Sequence, residues 1–240
     1  MTLKNIDIRD RIILALDVDS PAKAKDLIAR TESHLGFYKV GLQLFLAGGF
    51  DIVDWIVDRG HKVMLDLKLH DISATVALAV EQLAGHGVYF ATVHGEPPVV
   101  RAAAAAAGDR VRILAVTVLT SLGEDDLRSV GITMPLPELV RFRARAALEA
   151  GCSGVVASGH EAAMLRRELG EDFFIVTPGI RQGNTVMNGS DDQTRIMTAG
   201  AAIENGANHV VVGRPISKAT DPVAVIEEMQ KGIVEGVSGS

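Results

Sequence analysis

The sequence predicts a (β/α)8 barrel, the TIM-barrel class of α/β fold, on three observations. Eight apolar runs of strand length alternate with eight helical patterns along 240 residues. The runs are apolar on both faces, which is typical of strands buried in a parallel sheet. Glycines stand between several helical patterns and the next apolar run, where helices usually end. A doubly wound open sheet is the alternative, and it is disfavoured because no G-x-G-x-x-G follows the first strand.

The eight predicted strands are short apolar segments bounded by polar or turn-forming residues. Their expected bounds are 12–16, 37–40, 62–67, 88–93, 112–119, 154–157, 173–177 and 209–212. Since eight strand–helix units in a chain of this length are typical of a closed barrel, the strands are expected to pair in chain order.

The helical patterns between the strands carry start and stop signals. Their expected bounds are 21–33, 50–58, 73–85, 98–107, 136–150, 160–169, 192–204 and 221–232. Ser20 and Asp221 each precede a proline, which places a capping side chain before the first helical position. Four glycines lie where a helix C-cap is expected, namely Gly60, Gly87, Gly151 and Gly206.

Length and composition predict one domain over residues 1–235 and a disordered tail over 236–240. No apolar run approaches the roughly 18 residues that span a membrane, and the N-terminus lacks the apolar core of a signal peptide. The single cysteine, Cys152, allows no internal disulfide, is expected to pack as a small apolar residue, and fits a cytoplasmic location. The net charge of −6 argues against nonspecific nucleic-acid binding.

Two acids and a lysine stand at the end of the third predicted strand. Asp66 and Lys68 are two residues apart, so their side chains project to the same side of a strand. Asp71 follows beyond the expected strand end, where the chain can bend back or reach a neighbour. Charges at the end of a buried strand cost desolvation free energy unless they satisfy one another, and such groups are often kept for chemistry. A surface ion pair is the alternative.

Polar residues also stand at the carboxyl ends of most other predicted strands, which is where barrels carry their catalytic residues. They are Asp17, Lys39, Asp66 with Lys68, His94, Thr120 with Ser121, Arg181 and Arg214. Some have simpler explanations: Asp17 could cap a turn, His94 could be a hydrogen-bonded core residue, and Lys39 could extend to the surface. Together on one rim, they predict a functional site.

The last two loops of the predicted barrel indicate a phosphate site. Gly213 lets a backbone N–H approach an anion closely, and Arg214 supplies a planar guanidinium matched to phosphate oxygens. Barrels commonly bind phosphate with the loops after strands seven and eight. The loop from Arg181 to about Asp192 is long and rich in Gly, Asn and Ser, which favours a mobile lid over a plain surface loop.

These residues carry a resemblance to the orotidine 5′-phosphate decarboxylase family. The resemblance covers nearly the whole chain, with the segments LALD at 14–17, FYKVG at 37–41, DLKLHDI at 66–72, TPGIR at 177–181 and GRP at 213–215. The D-x-K-x-x-D pattern is shared with a wider superfamily that includes metal-dependent 3-keto-gulonate 6-phosphate decarboxylases and hexulose-phosphate synthases. Those relatives carry a glutamate metal ligand where this chain has Lys39, so the chain resembles the cofactor-free branch.

The resemblance implies the conversion of orotidine 5′-phosphate to uridine 5′-monophosphate (UMP) and CO2 in pyrimidine biosynthesis, with no cofactor and no metal. Lys68 would donate a proton to C6 of the pyrimidine after CO2 leaves. Asp66 would lie near the departing carboxylate. Asp17 and Lys39 would bind ribose hydroxyls and hold the charge network together.

The resemblance also implies a homodimer with shared sites and a nucleotide substrate. Asp71, Ile72 and Thr75 of one subunit would complete the site of its partner. Further substrate contacts are implied for Thr120 and Ser121 at the pyrimidine, for Gly213, Arg214 and Arg181 at the phosphate, and for Gln193 from the lid.

The sequence departs from the family pattern in two places. Ser73 and Ala74 stand where the family usually has Pro-Asn, although Ser73 is able to cap the following helix. The lid is a few residues longer than in common bacterial members. Two other functions stay open, a metal-dependent sugar-phosphate lyase and a noncatalytic phosphate-binding barrel. The charge network disfavours the second, because a binding module has little reason to retain buried alternating charges.

Overall fold

The computed structural model describes residues 6–181 and 197–238, and it confirms the predicted barrel. Eight parallel strands pair in chain order, and the last pairs with the first to close the sheet. The strands are β1 (Ile12–Ala15), β2 (Phe37–Gly41), β3 (Lys62–Leu69), β4 (Phe90–His94), β5 (Arg112–Val116), β6 (Gly154–Val156), β7 (Phe174–Thr177) and β8 (His209–Val212). Because all eight run in the same direction, their carboxyl ends open on one rim.

Helices surround the barrel and return the chain from each strand to the next. Those in the described residues are α1 (Ile8–Arg11), α2 (Pro21–Thr31), α3 (Leu42–Asp58), α4 (Ser73–Ala84), α5 (Pro97–Ala107), α6 (Glu124–Ser129), α7 (Leu136–Glu149), α8 (Gly159–Leu169), α9 (Ala199–Glu204), α10 (Arg214–Ser217) and α11 (Pro222–Ser238). The short helices α1, α6 and α10 have no counterpart in the predicted set, because four to six residues are too few to show a helical period.

Several element bounds differ from the predicted ones. Helix α3 includes residues from Leu42, eight positions before the expected start at 50, but Gly49 interrupts it with the non-helical angles φ 53° and ψ −146°. The helical run after this break starts at the predicted position, and the run before it was not predicted. Strand β5 ends at Val116 rather than at 119, and the residues after it turn over the rim. Helix α9 begins at Ala199, while the expected start at 192 lies outside the described residues. Helix α11 runs to Ser238, into the segment for which a tail is expected.

The predicted helix signals are met in part. The Asp221 carboxylate accepts hydrogen bonds from the N–H groups of Val223 and Ala224, both at 3.1 Å. Ser20 occupies an N-cap position without a side-chain cap bond. The expected cap by Ser73 is wrong, since Ile72 is the N-cap residue and Ser73 is the first residue of α4. The four predicted C-cap glycines all adopt positive φ, between 64° and 100°.

Two expectations from composition can be compared with the structure. Cys152 is buried, as expected of a small apolar residue, and its Sγ lies 3.1 Å from the Gly154 carbonyl oxygen. Burial raises the pKa of this thiol to about 11. Within the described ranges, no helix combines the length and the apolar character needed to cross a bilayer.

An aromatic layer fills the barrel at the amino ends of the strands. Phe37, Phe90 and Phe174 meet there with His209, and the Phe37 and Phe90 ring centroids lie 5.5 Å apart. His209 is 1% exposed, and its Nδ1 is 2.8 Å from the Asp10 carbonyl oxygen. Its Nε2 has no hydrogen-bond partner among the described residues. This layer closes the end of the barrel opposite the functional rim.

The buried imidazole of His209 predicts a loss of stability in mild acid. Burial, aided by the nearby charges of Arg11 and Lys62, lowers the pKa of His209 to about 3, although the Asp10 carbonyl opposes the shift. The unfolded chain therefore takes up this proton first, so the stabilisation is complete above the ordinary histidine pKa of about 6.5 and declines as the pH falls. We expect the titration of His209 to lower the free energy of unfolding by about 2 kcal/mol between pH 6.5 and pH 5.

Urea unfolding at several pH values measures this loss. A His209→Phe variant keeps an aromatic ring in the layer and removes the titrating group, so its unfolding free energy should change less over the same range. Equal pH dependence in the two proteins would contradict the prediction.

Candidate active site

A pocket of about 590 Å³ opens at the carboxyl rim of the barrel. This volume lies in the range of small-molecule sites. It gathers nine of the predicted site residues, namely Asp17, Lys39, Asp66, Lys68, Thr120, Ser121, Arg181, Gly213 and Arg214. They come from strands β1, β2, β3, β5, β7 and β8 or from the loops that follow them. Strand order alone brings them together, since parallel neighbours end at one rim.

Four side chains in this pocket form a line of alternating charge. The Lys39 ammonium donates to Asp17 Oδ1 at 3.0 Å and lies 3.6 Å from Asp66 Oδ2. The Lys68 ammonium donates to the same Asp66 oxygen at 2.9 Å. The side chains of Lys39 and Asp66 are only 11% and 12% exposed, whereas Lys68 is 32% exposed. Lys68 therefore ends the line with an ammonium that a ligand can reach.

Asp66 is held in its charged form by this arrangement. Burial is the largest influence on its pKa and acts to raise it, but the charges of Lys39 and Lys68 act in the opposite direction. Hydrogen bonds from Lys68 and Thr92 add to the lowering, and the net result is a pKa below the ordinary value. A fixed negative charge thus stands beside the Lys68 ammonium at neutral pH.

The backbone at Lys68 is unusual. Its φ is 50°, which makes it the one non-glycine residue with positive φ in the described part of the chain. The register between β3 and β4 also shifts between Leu65 and Leu69. The Lys68 N–H donates instead to Thr92 Oγ1 at 3.0 Å, and this hydroxyl donates to Asp66 Oδ1 at 2.9 Å. Non-glycine residues in this region are strained, and such strain is common at functional sites.

Positive charge predominates in the pocket. Among the described residues, its lining holds five cationic side chains, those of Lys39, Lys68, Arg181, Arg214 and Lys218, against the two carboxylates Asp17 and Asp66. The chain as a whole has a net charge of −6. This local surplus suits an anionic ligand, and two of the cations are arginines, which match phosphate oxygens in geometry.

The position of Arg181 is fixed by its backbone. Its N–H donates to the Met197 carbonyl at 3.0 Å, and the Met197 N–H donates to the Gly179 carbonyl at 3.3 Å. Ile180 and Met197 thereby form an isolated parallel bridge at the base of the predicted lid. Gln193, which is predicted to contact the phosphate from that lid, lies outside the described residues.

Three predicted site residues are not in this pocket. Asp71, Ile72 and Thr75 lie on the exposed start of α4, and Ile72 is 71% exposed. The Asp71 carboxylate accepts a hydrogen bond from the Ile72 N–H at 2.6 Å. The lining that one chain builds from its described residues does not include them. An exposed isoleucine beside an exposed carboxylate is compatible with the expected contact to a second subunit.

His94 lies at the rim beside the pocket and is half-buried. Its ring is 4.9 Å from that of His70, which also lies 3.3 Å from Glu96. Burial first, and then the neighbouring His70, lower the pKa of His94 below its usual value. His94 is not among the described residues that line the pocket.

The described residues offer no group of three or more His, Cys, Asp and Glu side chains suited to a metal ion. The two pocket carboxylates are instead bridged by the Lys39 ammonium. A cation already stands between the oxygens on which a divalent metal would depend.

Comparison with known proteins assigns the chain to a family. The sequence profile described as "Orotidine 5′-phosphate decarboxylase / HUMPS family" matches residues 10–229. The chain belongs to this family. The curated relatives are named as enzymes of this family, and the chain is likewise an enzyme.

Several relatives in the orotidine 5′-phosphate decarboxylase family match nearly end to end. The orotidine 5′-phosphate decarboxylase of Methylococcus capsulatus is 46% identical over 231 residues, which cover 96% of this chain and 94% of the relative. That of Rhodopseudomonas palustris strain HaA2 is 47% identical over 228 residues, with 95% and 96% covered. The crystal structure of the enzyme from Lactobacillus acidophilus superposes with a TM-score of 0.81 at 34% identity, covering 94% and 99%.

Two residues in or behind the pocket were missed by sequence reasoning. Thr92 does not line the pocket but contacts both Asp66 and Lys68, and it shares a strand face with Phe90 and His94. A threonine at that spacing in an apolar strand is the sequence feature that could have identified it. Lys218 lines the pocket and stands four residues after Arg214, one turn further on. Its spacing from a predicted phosphate ligand could have identified it.

Proposed function

We propose that this enzyme decarboxylates orotidine 5′-phosphate to UMP and CO2, a step of pyrimidine biosynthesis, without a cofactor. The observation that carries the proposal is the line of alternating charges that ends in the partly exposed Lys68 side chain. Family membership gives the reaction for which the curated relatives are named. We assign the reaction to the cytoplasm, and the single cysteine, which fits a reducing compartment, supports this assignment.

The charges of the pocket fit this substrate. Orotidine 5′-phosphate carries a phosphate and a carboxylate, and the described part of the pocket lining has a surplus of three cationic side chains. Arg181 and Arg214, together with the Gly213 amide, are the groups we assign to the phosphate. Asp17 and Lys39 are assigned to the ribose hydroxyls, for which a carboxylate acceptor and an ammonium donor are suitable partners. Thr120 and Ser121 supply hydroxyls at the opening and are assigned to the pyrimidine.

Lys68 is assigned the chemical step. When the bond between C6 and the carboxylate carbon breaks, its electron pair stays on C6 in the ring plane, where no adjacent π system delocalises it. An ammonium held at C6 stabilises that charge and then transfers one proton to it, which leaves UMP, CO2 and a neutral lysine. Solvent then returns the proton to Lys68. The ammonium accelerates the reaction because it interacts more strongly with the carbanion-like transition state than with the substrate.

Asp66 is assigned the task of directing that ammonium. Its Oδ2 accepts from Lys68 at 2.9 Å and lies 3.6 Å from Lys39, so both cations are anchored to one oxygen. Preorganised charges need no rearrangement while the reaction proceeds. Asp66 would lie near the substrate carboxylate, which leaves as neutral CO2.

The site is proposed to be shared between two copies of the chain. Asp71, Ile72 and Thr75 lie outside the pocket of one subunit and are exposed just before and within the first turn of α4. In a homodimer these residues would enter the partner's pocket, where Asp71 would add a second carboxylate near the Lys68 ammonium. A contact of this kind would cover the Ile72 side chain, which is 71% exposed in one chain.

The first test follows the ultraviolet absorbance of orotidine 5′-phosphate with purified enzyme in excess EDTA. We expect the orotate band to fall as UMP forms. No turnover with EDTA or with restored magnesium would contradict the proposal and favour a binding role. Activity only on a keto-sugar phosphate and only with magnesium would place the chain in the metal-dependent branch instead.

A further inference from the structure

Thr92 links the two residues assigned to the chemical step although it does not line the pocket. It lies within β4, is fully buried, and reaches across to β3. Its Oγ1 accepts from the Lys68 N–H at 3.0 Å and donates to Asp66 Oδ1 at 2.9 Å. One hydroxyl therefore contacts the backbone of the proposed acid and the carboxylate that orients its ammonium.

The direction of these two hydrogen bonds is fixed by chemistry. An amide N–H can only donate, so the Thr92 oxygen must accept from Lys68. Its single proton is then left for Asp66 Oδ1. The two oxygens of the Asp66 carboxylate therefore have different partners: Oδ1 accepts from the Thr92 hydroxyl, and Oδ2 faces Lys68 and Lys39. This division holds the carboxylate against rotation about its last bond.

The backbone of Lys68 needs such support. Its φ of 50° is unfavourable for a residue with a side chain, and the β3–β4 register shifts at this point. A strained residue keeps its conformation only when surrounding contacts determine it. The Thr92 hydroxyl is a contact of this kind, because it occupies the N–H that a regular strand would pair with its neighbour.

We propose that Thr92 is a positioning residue for the decarboxylation, which sets the Lys68 ammonium at the reacting carbon by fixing both the Lys68 backbone and the Asp66 carboxylate. This inference rests on the proposed function. Thr92 is fully buried and does not line the pocket, so we assign its contribution to the chemical step rather than to binding. A displacement of about 1 Å in a catalytic group can cost roughly 100-fold in rate.

Four variants test the role of the hydroxyl. Thr92→Val removes it and keeps the shape, Thr92→Ser keeps it, and Thr92→Ala matches the serine variant without the hydroxyl. Thr177→Val is the control, since Thr177 is also fully buried on a barrel strand and its Oγ1 has no hydrogen-bond partner among the described residues. The kcat and KM for orotidine 5′-phosphate are measured for each, beside the wild type.

We expect Thr92→Val and Thr92→Ala to lower kcat by about 10- to 100-fold with KM changed less than about threefold. Thr92→Ser and Thr177→Val should stay within about threefold of the wild-type kcat. In Thr92→Val, the acid limb of the kcat profile should also move to higher pH, because one hydrogen bond that lowers the pKa of Asp66 is lost. A general loosening of the fold would lower kcat without moving this limb.

Three results would overturn the inference. One is a Thr92→Val enzyme with wild-type kcat, and another is a serine variant as impaired as the alanine variant. The last is a wild type that does not decarboxylate the nucleotide, which would overturn the proposed function as well. An active wild type with an unaffected Thr92→Val enzyme overturns the inference alone. If Thr92→Val does not fold, the serine and alanine pair gives the same comparison.

Discussion

Lys68→Ala is expected to lower kcat for orotidine 5′-phosphate by at least about 10³-fold, because one substitution removes both the proton donor and the charge opposite the carbanion. Binding of UMP should largely survive, since Lys68 is one of five cations in the pocket and the arginines assigned to the phosphate are unchanged. Single-turnover kinetics and calorimetric titration with UMP separate the two effects.

A matched control removes the same charge elsewhere. Lys231 is exposed on α11 and is not part of the pocket lining, so Lys231→Ala should keep the wild-type kcat. Thermal unfolding of both variants shows whether the fold is intact. A folded Lys68→Ala enzyme with a near-normal rate would disprove the assigned chemical step, whatever its affinity for UMP.

Mixing two inactive variants is expected to restore activity if the site is shared. Each Lys68→Ala and Asp71→Ala subunit pair forms one site with both lesions and one with neither. Because a two-fold dimer has two equivalent sites, random exchange of equal amounts should recover about a quarter of the wild-type activity. The recovery is large because both parent enzymes are expected to be almost inactive.

The control for this experiment is a mixture of Lys68→Ala with Asp66→Ala. These two residues come from the same strand and meet at 2.9 Å in one chain. Every site of a mixed dimer then carries one lesion, and no activity should return. If Lys68→Ala and Asp71→Ala also fail to complement when subunit exchange is demonstrated, for example by mass spectrometry of labelled chains, the shared site is wrong.

Much of the fold could be predicted because the barrel repeats one simple pattern. Each apolar run had to be a buried strand, and β8 was predicted at its observed bounds, His209–Val212. Helix ends were less predictable. Gly49 interrupts the helical backbone inside α3, and the helical run at 42–48 before it was not predicted from the sequence. Ser73 has the side chain of a typical N-cap residue, but Ile72 occupies the N-cap position of α4. The backbone conformation after Asp71 sets the first helical residue, and the sequence does not show it.

The pocket was predictable where side chains sit at strand ends and less so where contacts cross between strands. Period-two spacing was enough to place Asp66 beside Lys68. The contact of both with Thr92 depends on the register of β3 against β4, which is irregular between Leu65 and Leu69 and has no local sequence signal. The positive φ of Lys68 was hidden for the same reason, since lysine has no preference for that conformation.

The contrast between a cationic pocket and an acidic chain bears on how a ligand arrives. The chain has a net charge of −6, whereas the described residues that line the pocket carry three more cationic than anionic side chains. An anionic nucleotide is therefore attracted to the mouth of the barrel rather than to the surface as a whole, because a charged cleft concentrates the electric field. Diffusional capture is therefore selective, and it weakens as dissolved ions shorten the reach of these fields to about 8 Å or less at physiological salt. The distances from Asp66 to Lys68 and Lys39 are much shorter than this screening length. Salt is therefore expected to change the rate of nucleotide association more than the charge interactions inside the pocket.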